Sequence, residues 1–146
     1  MILKEIKEPV RTKKLFTVID VKNVKVGDTL NFPSSKDYQK VVRRKVSGFE
    51  ICAIRKDNLH IRISYKIGNV QHQPLLETVL HLNPHLKAEP VQVESFLREG
   101  IFKSKIRGEQ PMYQECIAFK GSIAPLERPF IKVTDNEGNP YNWYLD

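Results

Sequence analysis

The stretch Leu59-His60-Ile61-Arg62-Ile63-Ser64-Tyr65-Lys66-Ile67 decides the fold. Leu59, Ile61, Ile63, Tyr65 and Ile67 occupy one parity, and His60, Arg62, Ser64 and Lys66 the other. Successive side chains of a strand point to opposite faces, so strict period-two alternation predicts a strand with one apolar face on a core and one polar face outward. Immediately before it, Gly48 to Arg55 reads as a partner strand joined through Lys56-Asp57-Asn58, since Asp and Asn tolerate the left-handed backbone of tight turns. A three-residue loop places Phe49, Ile51 and Ala53 opposite Tyr65, Ile63 and Ile61, whereas a two-residue loop brings Glu50 opposite Tyr65. The first aligns the apolar faces and is the expected register. Further upstream, Lys40 to Val46 is expected to extend the same strand, with Val42, Arg44 and Val46 alternating against Val41, Arg43 and Lys45, and Gly48 as a bulge or bend.

Outside this hairpin, Ile2 to Ile6 reads as a short strand followed by a basic connector containing Arg11, Lys13 and Lys14. Leu15 to Val21 is rich in β-branched and aromatic residues, which predicts a strand covered on both faces. Val24 to Phe32 alternates around Gly27-Asp28 and ends in the loop Pro33-Ser34-Ser35. Residues 70–100 change character: Pro74 to Leu82 predicts a helix with proline in its first turn, closed by Asn83-Pro84. A second short helix is expected over Val91 to Arg98, with Gly100 as its stop, while the alternation of Val91 and Val93 leaves a strand open there. Leu75, Leu76, Val79, Leu80 and Leu82 of this insert are read as a plug for one end of a barrel, the other option being an apolar patch for a protein partner.

Strands return with Ile101 to Ile106, Met112 to Lys120, and a hairpin of Phe130 to Thr134 with Tyr141 to Leu145 across the turn-rich Asp135-Asn136-Glu137-Gly138-Asn139-Pro140. The expected fold is mainly β: a single mostly antiparallel domain over 1–146, a small barrel or sandwich with one or two short helices in the middle. It comprises a basic half, 1–66, the insert, 70–100, and the C-terminal strands, 101–146. The Gly27-Asp28 start and the hairpin that follows resemble, at the level of fold, small barrels of the SH3-like, Tudor or oligonucleotide-binding (OB) kinds, which bind ligands on such faces.

Composition limits the class. The chain has 146 residues, suited to one domain, with 40% apolar and 28% charged residues, which places it among folded chains rather than disordered ones. No apolar run approaches the roughly 20 residues of a membrane-spanning helix, and Met1-Ile2-Leu3-Lys4-Glu5 lacks a secretory apolar stretch, so a soluble cytoplasmic protein is expected. The formal charge of +7 is unevenly held: residues 1–66 carry 16 of the 24 basic and 7 of the 17 acidic residues, a net of +9, against −2 beyond. Such a bias points to a polyanionic partner, because Lys and Arg near phosphates release condensed counterions.

Cys52 and Cys116 each lie in an apolar stretch and read as buried free thiols, without a CxxC metal or redox motif. His81 and His85 are four apart, but Pro84 breaks the helix that would align them and no carboxylate or thiolate completes a site, so no metal or cofactor is expected. No nucleophile elbow, Gly-rich phosphate loop or HExxH motif is present, which argues against an enzyme. An acid–base pair is open only at His60 with Asp57 or at Glu115 with Lys103, if the fold assembles either.

The leading expectation is therefore a non-enzymatic intracellular protein that contacts nucleic-acid phosphates through a basic sheet face made by Lys40, Arg43, Arg44, Lys45, Arg55, Lys56, His60, Arg62 and Lys66. The C-terminal aromatics Tyr141, Trp143 and Tyr144, with Phe130 and Tyr113 in the same half, are rings that could stack on bases; Tyr141, Trp143 and Leu145 share a parity that assigns one face of their strand to the core, which leaves Tyr144 as the exposed ring. The alternative is a protein-interaction module for an acidic surface, such as a viral accessory protein that inhibits or adapts a host protein or enzyme. A structural subunit of a larger assembly is the third reading.

Overall fold

The computed structural model describes residues 3–5, 14–55 and 58–145. They form a mainly β protein with one short helix among the described residues. The chain divides into two compact units, one built from Phe16–Val93 and Ala118–Ala124, the other from Met1–Leu15, Glu94–Ile117 and Pro125–Asp146.

The first unit is organised by β6 (Asn58–Ile67), the strand containing the alternating stretch. Leu59, Ile61, Ile63 and Tyr65 are all at most 1% exposed, as the period of two requires. Burying each such side chain contributes about 1.5–3 kcal/mol. On one edge β6 pairs antiparallel with β5 (Gly48–Arg55), and on the other it runs parallel to β2 (Leu15–Val21), with Val18 opposite Leu59. The hairpin register differs from the expected one: Phe49, Ile51 and Ala53 face Ile63, Ile61 and Leu59, and the pair closes on Arg55 opposite Asn58. The connection is thus residues 56–57, which lie outside the described residues, and an irregularity between Ala53 and Arg55 absorbs the odd residue. The slip is two residues, so the apolar faces stay aligned. β2 is covered less than expected, with Leu15 and Thr17 exposed and burial becoming continuous only from Asp20 to Val21.

Residues 40–46 do not extend β5. Instead β4 (Val41–Lys45) folds back on β3 (Thr29–Pro33) as a separate antiparallel ribbon, with Thr29 opposite Lys45, Leu30 opposite Arg44, Asn31 opposite Arg43 and Phe32 opposite Val42. The break has a hydrogen-bond cause. Gly27 N–H donates to the Val46 carbonyl (2.9 Å), Val46 N–H to the Asp28 carbonyl (2.8 Å), and Ser47 N–H to the Ser64 carbonyl (2.8 Å), so the backbone changes partners between β3 and β6 within two residues. Gly27 takes φ 96°, which suits glycine at this turn.

The predicted helix is α1 (Leu76–Leu82), whose Leu76 and Val79 are buried while it packs on β3 and β6. Leu75 is exposed, so only part of the leucine cluster acts as a plug. Asn83, 2% exposed, fastens the helix end: its Oδ1 accepts from Asn31 N–H (2.9 Å) and its Nδ2 donates to the Asn31 (2.8 Å) and Val79 (2.7 Å) carbonyls. Asn31 Nδ2 donates to the Leu82 carbonyl in return (3.2 Å). Elsewhere in this unit, β7 (Val70–His72) continues from β6, and β10 (Ser122–Pro125) follows β9 (Gly108–Phe119) through Lys120-Gly121. Both turn residues have positive φ (50° and 79°), the conformation of a two-residue hairpin turn. Lys120 is held in that conformation by ion pairing to buried Asp20 (2.7 Å) and donating to the Val21 carbonyl (2.7 Å).

In the second unit the strand order is β1 (Leu3–Glu5), β12 (Pro140–Tyr144), β11 (Phe130–Thr134), β9 and β8 (Ala88–Ser104). The expected second helix at Val91 to Arg98 is instead part of β8. Pro90 and the alternating Val91 and Val93 suit extended backbone, Ser95 N–H donates to the Lys14 carbonyl (2.7 Å), and from Ser95 to Ser104 every residue pairs with β9. The C-terminal hairpin forms as expected. Asp135 accepts from the N–H groups of Glu137 (2.9 Å) and Asn139 (2.7 Å) and from the Tyr141 hydroxyl, an arrangement that holds its carboxyl below the ordinary value. Ile131, Val133 and Leu145 form a core cluster against which Phe102, Met112, Tyr141 and Trp143 pack.

Asn83→Ala leaves the Asn31 N–H and carbonyl without their side-chain partner in a buried setting. It is expected to destabilise the protein by about 3 kcal/mol with an unchanged denaturant slope, read by urea unfolding.

Candidate functional site

The cations predicted to share one hairpin face divide between two places in the first unit. Arg43, Arg44 and Lys45 lie on the β3–β4 ribbon, with Lys40 just before it, where Lys40 N–H donates to the Asp37 carbonyl (3.0 Å) and the Lys40 carbonyl accepts from Ser34 N–H (2.8 Å). All four side chains are exposed, and none is ion-paired among the described residues. Arg43 and Lys45 share the ribbon face of Thr29 and Asn31, and the Arg43 Nη1 donates to Asn31 Oδ1 (2.9 Å). Arg44 lies on the opposite face, across from buried Leu30, yet stays exposed.

His60, Arg62 and Lys66 occupy β6, and only Lys66 is exposed. The expectation that all three point freely outward fails because this face is partly covered. Ser64 is fully buried, and Glu50, cross-strand from Arg62, accepts from Gln71 Nε2 (3.4 Å) and Ser122 Oγ (3.3 Å), while Ser122 Oγ also accepts from Ile51 N–H (3.0 Å). The face is thus a mixed polar layer with a carboxylate at its middle. The side chain of Arg55, and Lys56 altogether, lie outside the described residues, as does Asp57 of the His60–Asp57 pair.

Tyr144 belongs to the other unit. It is half-buried rather than freely exposed: its ring lies 5.5 Å from that of Phe130, and the Arg128 guanidinium sits 5.6 Å above it. Trp143 packs on the core cluster with the Arg107 guanidinium 4.1 Å over its ring. Glu115 and Lys103 are not brought together. Glu115 faces Leu97 across the ladder and accepts from Ser95 Oγ (3.3 Å), whereas Lys103 faces and pairs with Glu109 (3.9 Å).

Both cysteines are free, Cys116 buried and Cys52 half-buried opposite His60. Burial pushes both thiols up; Arg62 opposes this at Cys52 and Arg98 at Cys116, while Glu50 and Glu115 respectively reinforce it. A raised thiol is a poor nucleophile, so neither cysteine is activated for catalysis. His85 lies beyond α1 and accepts through its carbonyl from Asn23 Nδ2 (2.8 Å), while His81 is exposed in the last turn of the helix.

A pocket of about 380 Å³ opens beside Arg62, lined by Tyr38, Tyr65, His72, Gln73, Pro74 and Leu75 among others. The sequence reading passed over Tyr38, His72 and Gln73, because they fall in stretches without apolar periodicity. No protein-family model, curated protein or solved structure matches this chain. Among the described residues no helix is long and apolar enough to cross a membrane.

Burial and, secondarily, the adjacent Arg62 lower His60 from its ordinary value of 6.5. The unfolded chain then takes up a proton at higher pH than the folded one, so stability is full above pH 6.5 and is lost as pH falls below it. The drop in Tm between about pH 7.5 and about pH 5.5 is expected to be smaller in His60→Gln than in the unmodified protein, read by thermal unfolding at both pH values.

Proposed function

We propose that this protein binds nucleic acid through phosphate contacts made by the β3–β4 ribbon. The observation that carries this reading is the set Lys40, Arg43, Arg44 and Lys45: four exposed cations within six consecutive residues, Lys40 just before β4 and the other three on it, with no ion-paired carboxylate among the described residues. Unpaired surface cations at this density repel one another, and a phosphate backbone relieves that repulsion while releasing its own counterions. A two-stranded ribbon also has the dimensions to enter the major groove of a duplex. Lys66 at the end of β6 is a further exposed cation, whereas Arg62 and His60 belong to the mixed polar layer. The contacts foreseen are to the phosphate backbone, and the ribbon's one amide side chain, Asn31, is already bonded to Arg43 and the Leu82 carbonyl.

The test is the salt dependence of binding to single- and double-stranded DNA and RNA. Arg43→Ala, Arg44→Ala and Lys45→Ala are each expected to weaken binding equally across sequences and to reduce the magnitude of the log–log salt slope by about 1. Lys103→Ala, which removes a cation paired to Glu109, is expected to leave the slope unchanged. Absent or salt-independent binding overturns the proposal, as does retention of an acidic protein partner by the same ribbon after nuclease treatment of an extract.

A further inference from the structure

Arg62 presents an unbalanced charge. It is half-buried, yet its one hydrogen bond is a marginal one from Nη1 to the Gln73 carbonyl (3.5 Å); its enclosed Nε has no partner, and it forms no ion pair among the described residues. Its cross-strand neighbour Glu50 directs its two oxygens to Gln71 and Ser122 instead. A guanidinium partly removed from water costs free energy unless an anion answers it, and its planar fork of donors pairs bidentately with a phosphate or a carboxylate.

The surroundings add a shape to that charge. Arg62 lines the pocket of about 380 Å³, within the roughly 300–1,000 Å³ range of small-molecule sites. The floor is aromatic and rigid: Tyr65 is buried, donates its hydroxyl to the Pro33 carbonyl (3.1 Å), and stacks on His72 at 5.2 Å between centroids. At the rim stand Tyr38, 54% exposed, and Leu75, 52% exposed, tied to each other by the Leu75 N–H donating to the Tyr38 hydroxyl (3.4 Å). Pro33 and Pro74 complete an apolar wall. One cation at the side of a pocket lined by aromatic rings, prolines and polar side chains in similar measure matches a ligand with a phosphate at one end and a flat ring with polar edges at the other.

We propose that this pocket binds one phosphorylated nucleoside, its phosphate at Arg62 and its base against the Tyr38 ring. Base stacking on an aromatic side chain contributes about 1–3 kcal/mol, so both ends add to affinity. Such a ligand has two sources, a free mononucleotide or a nucleotide within a strand held by the ribbon. The second source rests on the nucleic-acid reading above, while the first stands without it.

The experiment is a titration of isotopically labelled protein with adenosine monophosphate, adenosine, inorganic phosphate and a short single-stranded oligonucleotide, followed by NMR at the Arg62 Nε–H and the His72 ring. The expected result is movement of both signals with adenosine monophosphate, weaker binding of adenosine and of inorganic phosphate, and at least about tenfold weaker monophosphate binding in Arg62→Gln. Tyr38→Ala, at an exposed position that does not threaten folding, is expected to weaken the monophosphate and adenosine but not inorganic phosphate. Binding of the monophosphate no tighter than adenosine, or unaltered in both variants, overturns the pocket. The ribbon variant Arg43→Ala separates the two readings: weaker oligonucleotide binding with intact monophosphate binding supports both, unaltered oligonucleotide binding counts against the ribbon alone, and weaker monophosphate binding overturns the pocket at Arg62.

Discussion

The enclosure of β6 on its apolar side is the constraint from which the first unit follows. Leu59, Ile61, Ile63 and Tyr65 leave water almost completely: β5 antiparallel and β2 parallel pair the backbone of β6 on its two edges, while α1 packs against the strand and the Phe32 ring lies 4.6 Å from that of Tyr65. A strand so anchored cannot slip by one residue without sending four large apolar side chains into the polar layer. Its other parity is therefore fixed as well, and with it the position of Arg62 opposite Glu50 and of His60 opposite Cys52.

That fixed polar parity accounts for the electrostatics. Partial burial lowers the His60 imidazole and raises the Cys52 thiol, and the common neighbour Arg62 adds to the first shift and opposes the second. The ribbon differs because it is anchored by a single face. Leu30 and Phe32 hold β3 in place, Asn83 locks it to the end of α1, and β4 is left with its cations in solvent. One basic segment of sequence thus places its charges in two settings: a solvated run on β4 and a single half-buried guanidinium on β6.

Much of the fold was legible in the sequence where one physical signal acted alone. The period of two at Leu59 to Ile67, the proline-started and asparagine-ended helix, and the Asx-rich turn before Tyr141 each correspond to an observed element. The reading failed where two signals competed. At Val91 to Arg98 the charges suggest helix caps, but Val91 and Val93 alternate as in a strand and Ser95 to Arg98 pair with β9 in an extended chain. At Lys40 to Val46 the alternation was read correctly as strand and assigned the wrong neighbour, because alternation specifies faces and not partners. The cationic residues could be named from charge, but the pocket beside Arg62 could not, since Tyr38, His72 and Gln73 come from separate loops and strand ends.

By itself the sequence determined the class of the protein, its principal strand, and the concentration of positive charge in its first 66 residues, because periodicity and composition are properties of adjacent positions. The tertiary structure alone decided that Arg43, Arg44 and Lys45 part company with Arg62. That separation depends on backbone hydrogen bonds at Gly27, Val46 and Ser47, whose partners at Val46, Asp28 and Ser64 are distant in the chain and become neighbours only through the tertiary fold.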